Sequence, residues 1–311
     1  MKKVENGLGI DFPDDSAAIP TLDGYVVLTI DSYTVSPIIF PGGDLGKLAA
    51  AGTINDVLML GGAPIAALDA IIVEEGLETS LLTRVVDSMI SVFMDENVKL
   101  IGGDLKVMPK GQLDKVVITT ACVGFAKRLI VDNSLRPGDK IIITGNIGEH
   151  GAAILAAQHQ IEAREFSSDV APLSNLMIPL IREMGEDIVA ARDPTRGGVA
   201  MVLNDWARST KTNILVHESE LPIRDAVANL CEMLGIDPLA LASEGTALLG
   251  VRPGSAKAAL ELIHELGYKS ARIIGEVREP QTSASLVVMK TLIGGYRILE
   301  PPSGEIVPRI C

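Results

Sequence analysis

Residues 41–60 read PGGDLGKLAAAGTINDVLML, a glycine-rich turn that runs into an apolar helix, and this stretch decides the fold class. Asp44 stands at the N-cap position before the apolar run, where a carboxylate accepts hydrogen bonds from free backbone N–H groups. Helical periodicity extends over Asp44–Leu60. The stretch is not a Walker A phosphate loop, because three rather than four residues stand before Gly46-Lys47 and Leu48 replaces Ser or Thr.

The same order of elements recurs in the second half, where residues 193–198, DPTRGG, precede the helical pattern Val199–Arg208. In both halves the glycine-rich turn follows strand-like runs that are rich in β-branched residues. The pattern predicts an α+β protein of two domains, with sheets covered on one side by helices. The predicted strands are Tyr25–Ile30, Ile65–Val73, Val116–Gly124, Lys140–Thr144, Ile214–Val216, Thr246–Val251, Ala271–Val277 and Leu286–Met289, and the other predicted helices are Ser80–Met94, Pro172–Met184, Ile223–Leu234 and Gly254–Leu266.

The composition fits an enzyme of two domains and argues against several other classes of protein. At 311 residues the chain exceeds one typical core, and 47% hydrophobic with 3% aromatic residues indicates a core of small and aliphatic side chains. The net charge of −13, from 40 acidic and 27 basic residues, argues against binding to nucleic acid. Because no run of 18 or more apolar residues occurs, we expect no association with a membrane.

We predict three segments along the chain. A polar turn cluster at residues 133–139 marks a boundary between a first domain, residues 1–135, and a second domain, residues 136–298. Residues 299–311 form a mobile, proline-containing tail that ends in Cys311.

The three cysteines form no CxxC pair, so we predict neither a zinc site nor a disulfide framework. Cys122 and Cys231 lie in apolar patterns that indicate buried core positions. From Pro301 to Cys311 an extended arm spans up to about 35 Å, enough for a terminal thiol to enter an active site and leave again. The alternative is a disordered end with an incidental cysteine. A free thiol predicts a reducing cytoplasm.

Aspartates occur in four short segments of the first half that suit a common site. They are Asp14-Asp15, Asp31 at the end of a predicted strand, Asp56 within the predicted helix, and Asp104 after a short strand at residues 99–101. Mg²⁺ prefers carboxylate oxygens together with the phosphate oxygens of a nucleotide and retained waters. We predict Asp14, Asp31, Asp56 and Asp104 as metal ligands. The alternative is that each aspartate caps a turn.

Other charged residues extend this candidate site. In the second glycine-rich turn, Asp193 can share a metal, Thr195 can hydrogen-bond a phosphate, and Arg196 strengthens the attraction of a helix start for anions. Lys106 and Glu244 stand beside apolar strands, a position typical of side chains that line clefts. The alternatives are a capped turn and solvated side chains. The four histidines show no metal-ligand spacing, and we place His150 in a glycine turn.

Six motifs carry a resemblance to a known family. They are Phe40-Pro41-Gly42-Gly43, Gly52-Thr53-Ile54-Asn55-Asp56, Glu74-Glu75-Gly76, Gly148-Glu149-His150-Gly151, Asp193-Pro194-Thr195-Arg196-Gly197-Gly198 and the terminal Pro308-Arg309-Ile310-Cys311. Together they resemble the HypE family of hydrogenase maturation proteins, within the aminoimidazole ribonucleotide synthetase-like (PurM-like) ATP-binding superfamily. The similarity extends from about Asp14 to Cys311, and the Pro-Arg-Ile-Cys ending distinguishes this family from its sister families. The family's Gly-Asp-Thr-Lys reads Gly103-Asp104-Leu105-Lys106 here, so position 105 lacks a hydroxyl.

The resemblance implies a fold, a reaction and partners. The fold is a PurM-like pair of α+β domains that dimerises through its N-terminal sheets and holds ATP and Mg²⁺ in a cleft lined by aspartates. The carbamoyltransferase HypF transfers a carbamoyl group to the C-terminal cysteine, ATP drives its dehydration to a thiocyanate, and the cyano group passes to iron on the HypC–HypD complex. The implied nucleotide-binding set is Asp14, Asp15, Asp31, Gly42, Gly43, Asn55, Asp56, Asp104, Asp193, Thr195 and Arg196.

The reaction assigns three further roles. Cys311 is the covalent carrier, Lys106 stabilises the developing oxyanion and Glu244 removes a proton from nitrogen. Two alternatives stay open at this point. One is a carrier or scaffold that presents Cys311 to partners without using ATP, and the other is a related enzyme that activates a small-molecule amide with ATP.

Overall fold

The computed structural model describes residues 4–10, 14–161, 165–280, 284–304 and 307. The helices are α1, Leu45–Met59; α2, Thr79–Asp95; α3, Glu149–Gln158; α4, Ser174–Met184; α5, Gly198–Thr210; α6, Asp225–Leu234; and α7, Ala256–Glu265. The strands are β1, Ala17–Pro20; β2, Tyr25–Tyr33; β3, Ile39–Phe40; β4, Gly43–Asp44; β5, Ala63–Glu74; β6, Lys99–Met108; β7, Val116–Ala126; β8, Lys140–Ile143; β9, Ile188–Arg192; β10, Asn213–His217; β11, Leu248–Val251; β12, Arg272–Arg278; β13, Val287–Lys290; and β14, Tyr296–Ile298.

The first domain is built on a five-stranded sheet in the order β1-β2-β7-β5-β6, with only β5 and β6 parallel. Helix α1 packs on one face of this sheet and is buried on nearly all sides, which explains its apolar sequence. Asp44 Oδ1 accepts hydrogen bonds from the N–H groups of Gly46 and Lys47 at 2.9 and 3.0 Å. The predicted N-cap is therefore confirmed.

The second domain is built on a seven-stranded sheet in the order β14-β13-β10-β12-β8-β11-β9. Helices cover both of its faces, so the prediction of one covered side is wrong for this domain. Ile142 packs in one apolar cluster with Ile263 of α7, while its neighbours Ile141 and Ile143 pack in another with Trp206 of α5. Successive side chains of a strand point to opposite faces, so three consecutive isoleucines need an apolar partner on each side.

Helix α3 is an element that the sequence analysis missed. His150 lies in its first turn and is fully buried, so its placement in a glycine turn is wrong. Almost every residue of α3 is buried, which removes the alternation of polar and apolar residues that identifies a surface helix. The ring of His150 meets Phe40 edge-on at 5.3 Å, and its Nδ1 lies 2.7 Å from the Ser168 hydroxyl oxygen.

Two aspartates lie inside strands rather than after them. Strand β2 continues through Asp31 to Tyr33, and β6 continues through Asp104 to Met108, which corrects both predicted strand ends.

Cys122 and Cys231 are buried as predicted, and burial raises the pKa of these thiols to about 12 and about 11. Within the described ranges, no helix is both long enough and apolar enough to cross a membrane.

Candidate active site

Carboxylates of both domains converge where α1 and β2 of the first domain face β9 and the turn that follows it. Asp15, Asp31 and Asp56 come from the first domain, and Asp193 and Glu244 come from the second. Burial and, next to it, the charge of Asp193 raise the pKa of both Asp56 and Glu244, and the charge of Asp31 adds to both effects. The structure therefore brings together five of the predicted site residues.

Strand β2 and helix α1 position Asp56. The Thr29 hydroxyl, on the covered face of β2, donates a hydrogen bond to Asp56 Oδ2 at 2.7 Å, and the Ser16 hydroxyl donates to the Asp56 backbone oxygen at 2.9 Å. Asp14 lies beside this pair and accepts from the N–H groups of Asp15 and Asp132 at 2.9 and 3.3 Å. An open cavity of about 330 Å³ is lined in part by Asp14, Asp15 and Thr29.

A cation that no sequence motif identified, Arg192, holds these acids together. Arg192, the last residue of β9, donates from Nε to Asp15 Oδ1 at 2.8 Å, and its Nη1 lies 3.3 Å from Asp132 Oδ2 and 3.5 Å from Asp205 Oδ2. Asp132, also missed, is buried and belongs to the turn between the domains. The one available signal was the position of Arg192 at the entry to the second glycine-rich turn.

The turn at residues 193–198 presents Asp193 and Arg196 to the first domain. Asp193 is buried, while Arg196 is exposed. Burial raises the pKa of Asp31, and the charge of Arg196 opposes part of this rise. Thr195 donates its backbone N–H to the Asp193 carbonyl oxygen at 3.0 Å, which closes the turn. Gly198 has a φ of +59°, and a Cβ there would lie 2.4 Å from the Leu241 carbonyl oxygen. A side chain at this position is excluded by both conformation and contact.

Glu244 is a buried carboxyl group that the second domain contributes to the site. It is 1% exposed, and the Ser243 N–H beside it donates to the Pro194 carbonyl oxygen at 2.9 Å, which ties this loop to the aspartate turn. Glu244 Oε1, Asp193 Oδ2 and Asp15 Oδ2 are buried oxygens that accept no hydrogen bond from the described residues. Buried polar atoms normally find partners, so such oxygens mark a place where a ligand completes the site.

Burial and mutual repulsion raise the pKa values of the whole group. Burial is the largest cause for each carboxyl group, and it lifts the pKa of Asp56, Asp193 and Glu244 well above the ordinary range. For Asp14, burial and the charge of Asp15 raise the pKa to about 6. Carboxylates in this state are stabilised by an added cation, because a positive charge lowers their pKa.

The arrangement fits a magnesium ion that a nucleotide brings with it. Among the described residues, no three histidine, cysteine or acidic side chains form a ready-made metal cage. Mg²⁺ bound with a nucleotide usually takes only one or two carboxylates from the protein and the rest from phosphates and waters. Asp15 and Asp193 each have a carboxylate oxygen without a hydrogen bond from the described residues, so they could supply these one or two protein ligands.

Asp104 and Lys106 lie apart from this group within one chain. They pair with Ala70 and Ile72 of β5, whereas the buried Ile71 between them pairs with Leu105. Because side chains alternate along a strand, Asp104 and Lys106 stand on the face opposite to the helices. They also belong to the edge strand farthest in the sheet from β1. The common site predicted for all four aspartate segments therefore does not form within a single chain.

Asn55, Gly42 and Gly43 have protein partners of their own. The Asn55 side chain donates to the carbonyl oxygens of Ala171 and Glu244 at 3.2 and 3.3 Å and accepts from the Leu173 N–H at 2.9 Å. A Cβ on Gly42 would lie 2.6 Å from the Ser168 carbonyl oxygen. Asn55 and Gly42 therefore join the two domains, and the contact of all three residues with a nucleotide stays a prediction.

Cys311 lies outside the described residues. Val307, four positions earlier, is 5% exposed and belongs to the apolar cluster that contains α1 and α4. The tail also leaves the second sheet at a fixed point, since the Leu299 carbonyl oxygen accepts a hydrogen bond from the Asn204 side chain at 2.9 Å.

Two family models match the chain in sequence. The AIR synthase related protein N-terminal domain matches residues 13–126, and the corresponding C-terminal domain matches residues 136–287. A putative hydrogenase expression/formation protein of Methanocaldococcus jannaschii is 40% identical, with 100% of this chain and 92% of that protein covered. The carbamoyl dehydratase HypE of Rhizobium leguminosarum bv. viciae is 40% identical, with 96% and 86% covered.

Two solved structures show the same fold. Hydrogenase maturation protein HypE in complex with ATP superposes with a TM-score of 0.89 at 40% identity, covering 94% of this chain and 89% of that one. A chain of a HypE–HypF complex superposes with a TM-score of 0.87 at 40% identity, covering 93% of each chain.

Proposed function

The chain belongs to the carbamoyl dehydratase HypE family, and from this membership together with its acidic site we infer that it dehydrates a carbamoyl group in hydrogenase maturation. The observation that carries the inference is the buried Glu244 carboxyl group, whose Oε1 accepts no hydrogen bond from the described residues. An acceptor in that state is suited to take a proton from a bound substrate.

The substrate group is a carbamoyl thioester on Cys311, and its oxygen must become a leaving group. ATP supplies this chemistry: the carbamoyl oxygen attacks the γ-phosphorus, ADP departs and nitrogen loses one proton. Loss of phosphate and of the second proton then forms the carbon–nitrogen triple bond of a thiocyanate. Glu244 is the base that removes a proton from nitrogen. The raised pKa of Glu244 makes it a stronger base than an ordinary carboxylate.

ATP binding is supported by the similar HypE structure that holds ATP. In this chain the residues that would hold the nucleotide phosphates are the carboxylates of Asp14, Asp15, Asp31 and Asp56 and, in the facing turn, Asp193, Thr195 and Arg196. Mg²⁺, when bound, screens the phosphate charge from these carboxylates. Arg196 is exposed at this turn and free to approach a phosphate.

The anchor at Val307 limits how far the Cys311 thiol can travel. Val307 is buried against the body of the protein, and four residues span at most about 14 Å in an extended chain. The thiol therefore stays within that distance of the Val307 anchor while the tail is seated, and release of Val307 frees the longer arm that starts at Leu299.

A second copy of the chain completes the site. The uncovered face of the first sheet carries Leu28, Ile30 and Leu68, which are 36%, 72% and 48% exposed. An apolar sheet face of this kind is typical of an interface. Asp104 and Lys106 stand on the same face, so in a homodimer they meet the partner copy rather than their own chain's aspartates. Lys106 then stabilises the developing oxyanion from across the interface.

The partners follow from the reaction. The carbamoyl donor is a carbamoyltransferase such as HypF, which is consistent with the similar chain in the HypE–HypF complex. The acceptor of the cyano group is an iron-carrying complex of the HypC–HypD type. Thiol chemistry at Cys311 requires reducing conditions, so we place the protein in the cytoplasm.

The test is intact mass and peptide mapping of Cys311. Its thiol is carbamoylated with cyanate, and the protein is then treated with ATP and Mg²⁺. We expect the terminal peptide to lose one water only when ATP is present, and Cys311→Ala to bind ATP without forming product. A carbamoyl group that persists while ATP is bound would favour the carrier function instead.

A further inference from the structure

Asp169 makes an unusual set of contacts with the loop that carries Glu244. It lies between α3 and α4, and its Oδ1 accepts the N–H of Glu244 at 3.1 Å. Its Oδ2 accepts the N–H of Gly245 at 3.1 Å and the Thr246 hydroxyl at 3.2 Å. One carboxylate therefore binds three consecutive residues that begin with Glu244.

The same loop is held from the opposite side by the first domain. Asn55 of α1 donates to the Glu244 carbonyl oxygen at 3.3 Å, so both backbone polar groups of Glu244 are fixed by side chains. Gly245 packs directly against the Asp169 backbone, because a Cβ there would lie 1.9 Å from the Asp169 carbonyl oxygen. The Glu244 side chain, by contrast, has a carboxyl oxygen without a hydrogen bond from the described residues. Its direction is therefore set through its backbone.

A carboxylate is a costly choice for a contact that serves folding alone. Among the described residues Asp169 forms no ion pair, it is only partly exposed to water, and burial raises its pKa to about 6. An amide oxygen could accept two of the three hydrogen bonds while its NH₂ group faced the third donor, whereas an ionised carboxylate accepts all three without presenting a donor. The retained charge thus matches the need to hold several donors in one fixed geometry.

We propose that Asp169 is a positioning residue for dehydration, acting through Glu244 by fixing the backbone of Glu244, Gly245 and Thr246. The inference rests on the proposed function, in which Glu244 is the base. Asp169 touches neither the nucleotide nor the tail in this scheme, and its effect on the rate passes entirely through Glu244.

The experiment is a double-mutant cycle on the full-length, carbamoylated protein, measured as single-turnover dehydration by intact mass. Asp169→Asn keeps the shape but places an NH₂ donor against the donors of the loop. We expect it to slow dehydration by about 30-fold, the size of a lost hydrogen bond to a charged group, with the dissociation constant for ATP within about 2-fold. In a Glu244→Gln background the same change should slow the residual rate by less than about 2-fold.

Two further variants complete the design. Thr246→Val removes one donor and keeps the charge, so it should give the same pattern at smaller size without loss of folding. Asp139→Asn is the matched control, because Asp139 is a buried carboxylate that accepts the Arg136 N–H and pairs with Arg252. We expect Asp139→Asn to lower stability and to leave the rate within about 2-fold.

Hydrogen–deuterium exchange gives a readout that does not depend on activity. In Asp169→Asn the amides of Glu244 and Gly245 should lose protection while the rest of the second domain keeps it. Equal slowing in both backgrounds, unchanged exchange at Glu244, or loss of protection across the domain would overturn the positioning role. The carbamoylated protein without substitutions could also fail to dehydrate while Asp169→Asn still loses protection at Glu244 and Gly245. That result would refute the proposed function alone.

Discussion

Arg192 Nε donates a hydrogen bond to Asp15 Oδ1 at 2.8 Å, and the two residues are separated by 177 positions in the sequence. The contact joins the end of β9 in the second domain to the segment before β1 in the first. It places one guanidinium among Asp15, Asp132 and Asp205, and it holds Asp15 where its charge acts on Asp56 and Asp193.

Replacing Arg192 by Gln should destabilise the protein. The change leaves Asp15 and the buried Asp132 without their cation, and breaking a buried ion pair of this kind costs about 3 kcal/mol. Urea unfolding measures the difference. Arg208→Gln is the control, since Arg208 pairs with Asp205 at the exposed surface, where such a pair contributes less than about 1 kcal/mol. Equal losses in the two variants would mean that the Arg192 cluster is as well solvated as the surface.

Asp56→Asn should weaken the binding of ATP in the presence of Mg²⁺ by about tenfold or more, because it removes one of the charges that face the metal and phosphates. Isothermal titration calorimetry with and without Mg²⁺ measures the change. Asp87→Asn, on the exposed side of α2, serves as the surface control. An unchanged affinity in Asp56→Asn would remove Asp56 from the nucleotide site.

Gly42→Ala should destabilise the protein more than Gly76→Ala does. The two glycines have nearly the same φ, +94° and +95°, so the conformational cost of alanine, about 1 to 2 kcal/mol, is shared. Only at Gly42 would the new Cβ meet a neighbour, the Ser168 carbonyl oxygen at 2.6 Å, whereas nothing lies within 4 Å at Gly76. The difference between the two variants in the free energy of unfolding measures the contact of Gly42 with the second domain. Identical losses of stability in the two variants would rule out tight packing at Gly42.

Ile30→Glu should convert the proposed dimer to monomers. Ile30 is 72% exposed on the uncovered face of the first sheet, and a buried unpaired carboxylate at an interface opposes association. Leu292→Glu is matched to it, because Leu292 is 73% exposed on the second domain, in the turn between β13 and β14. Sedimentation velocity compares both variants with the unaltered chain. A monomeric unaltered chain, or a dimer that survives Ile30→Glu, would contradict the assigned interface.

The stability of the nucleotide-free protein should fall as the pH rises from 4 to 6. Asp169 has an ordinary pKa of 3.8 when unfolded and about 6 when folded, mainly through burial, and Asp14 shifts in the same direction to about 6. Between these values the folded state binds more protons than the unfolded state, so each proton lost on raising the pH destabilises the fold.

The expected loss is about 2 kcal/mol for each of the two groups, or roughly 6 °C in the melting temperature when both contribute. Thermal melts across this window measure it, and Asp169→Asn should show a shallower slope because one titrating group is gone. A melting temperature that rises steadily from pH 4 to 6 would show that carboxylates stabilised in their ionised form dominate instead.

Local features of this chain could be predicted because short-range physics sets them. Helix α1 begins after Asp44 as predicted, since an N-cap acts on N–H groups two and three residues away. The glycine-rich turn before α5 and the aliphatic strands of both sheets could also be predicted, because neighbouring residues set them. The HypE family was also identified from short motifs in the sequence, and the comparisons confirm it.

The rest depends on contacts between residues far apart in the sequence. Asn55, in a motif expected to bind a nucleotide, holds Leu173 and Glu244 across the domain boundary. Asp104 was expected beside Asp56 and lies on the other face of its sheet, because a strand's register decides which side chains face the helices.

By itself, the sequence determined most of the helices and strands, the glycine-rich turns, the family, and the residue types available for chemistry, since these follow from neighbours within a few positions. Only the tertiary structure decided which acids share the site, which cation holds them, and that Asp169 contacts the Glu244 loop. These contacts join residues far apart in the sequence. They form when two sheets and a buried helix pack together, and no local pattern in the chain encodes them.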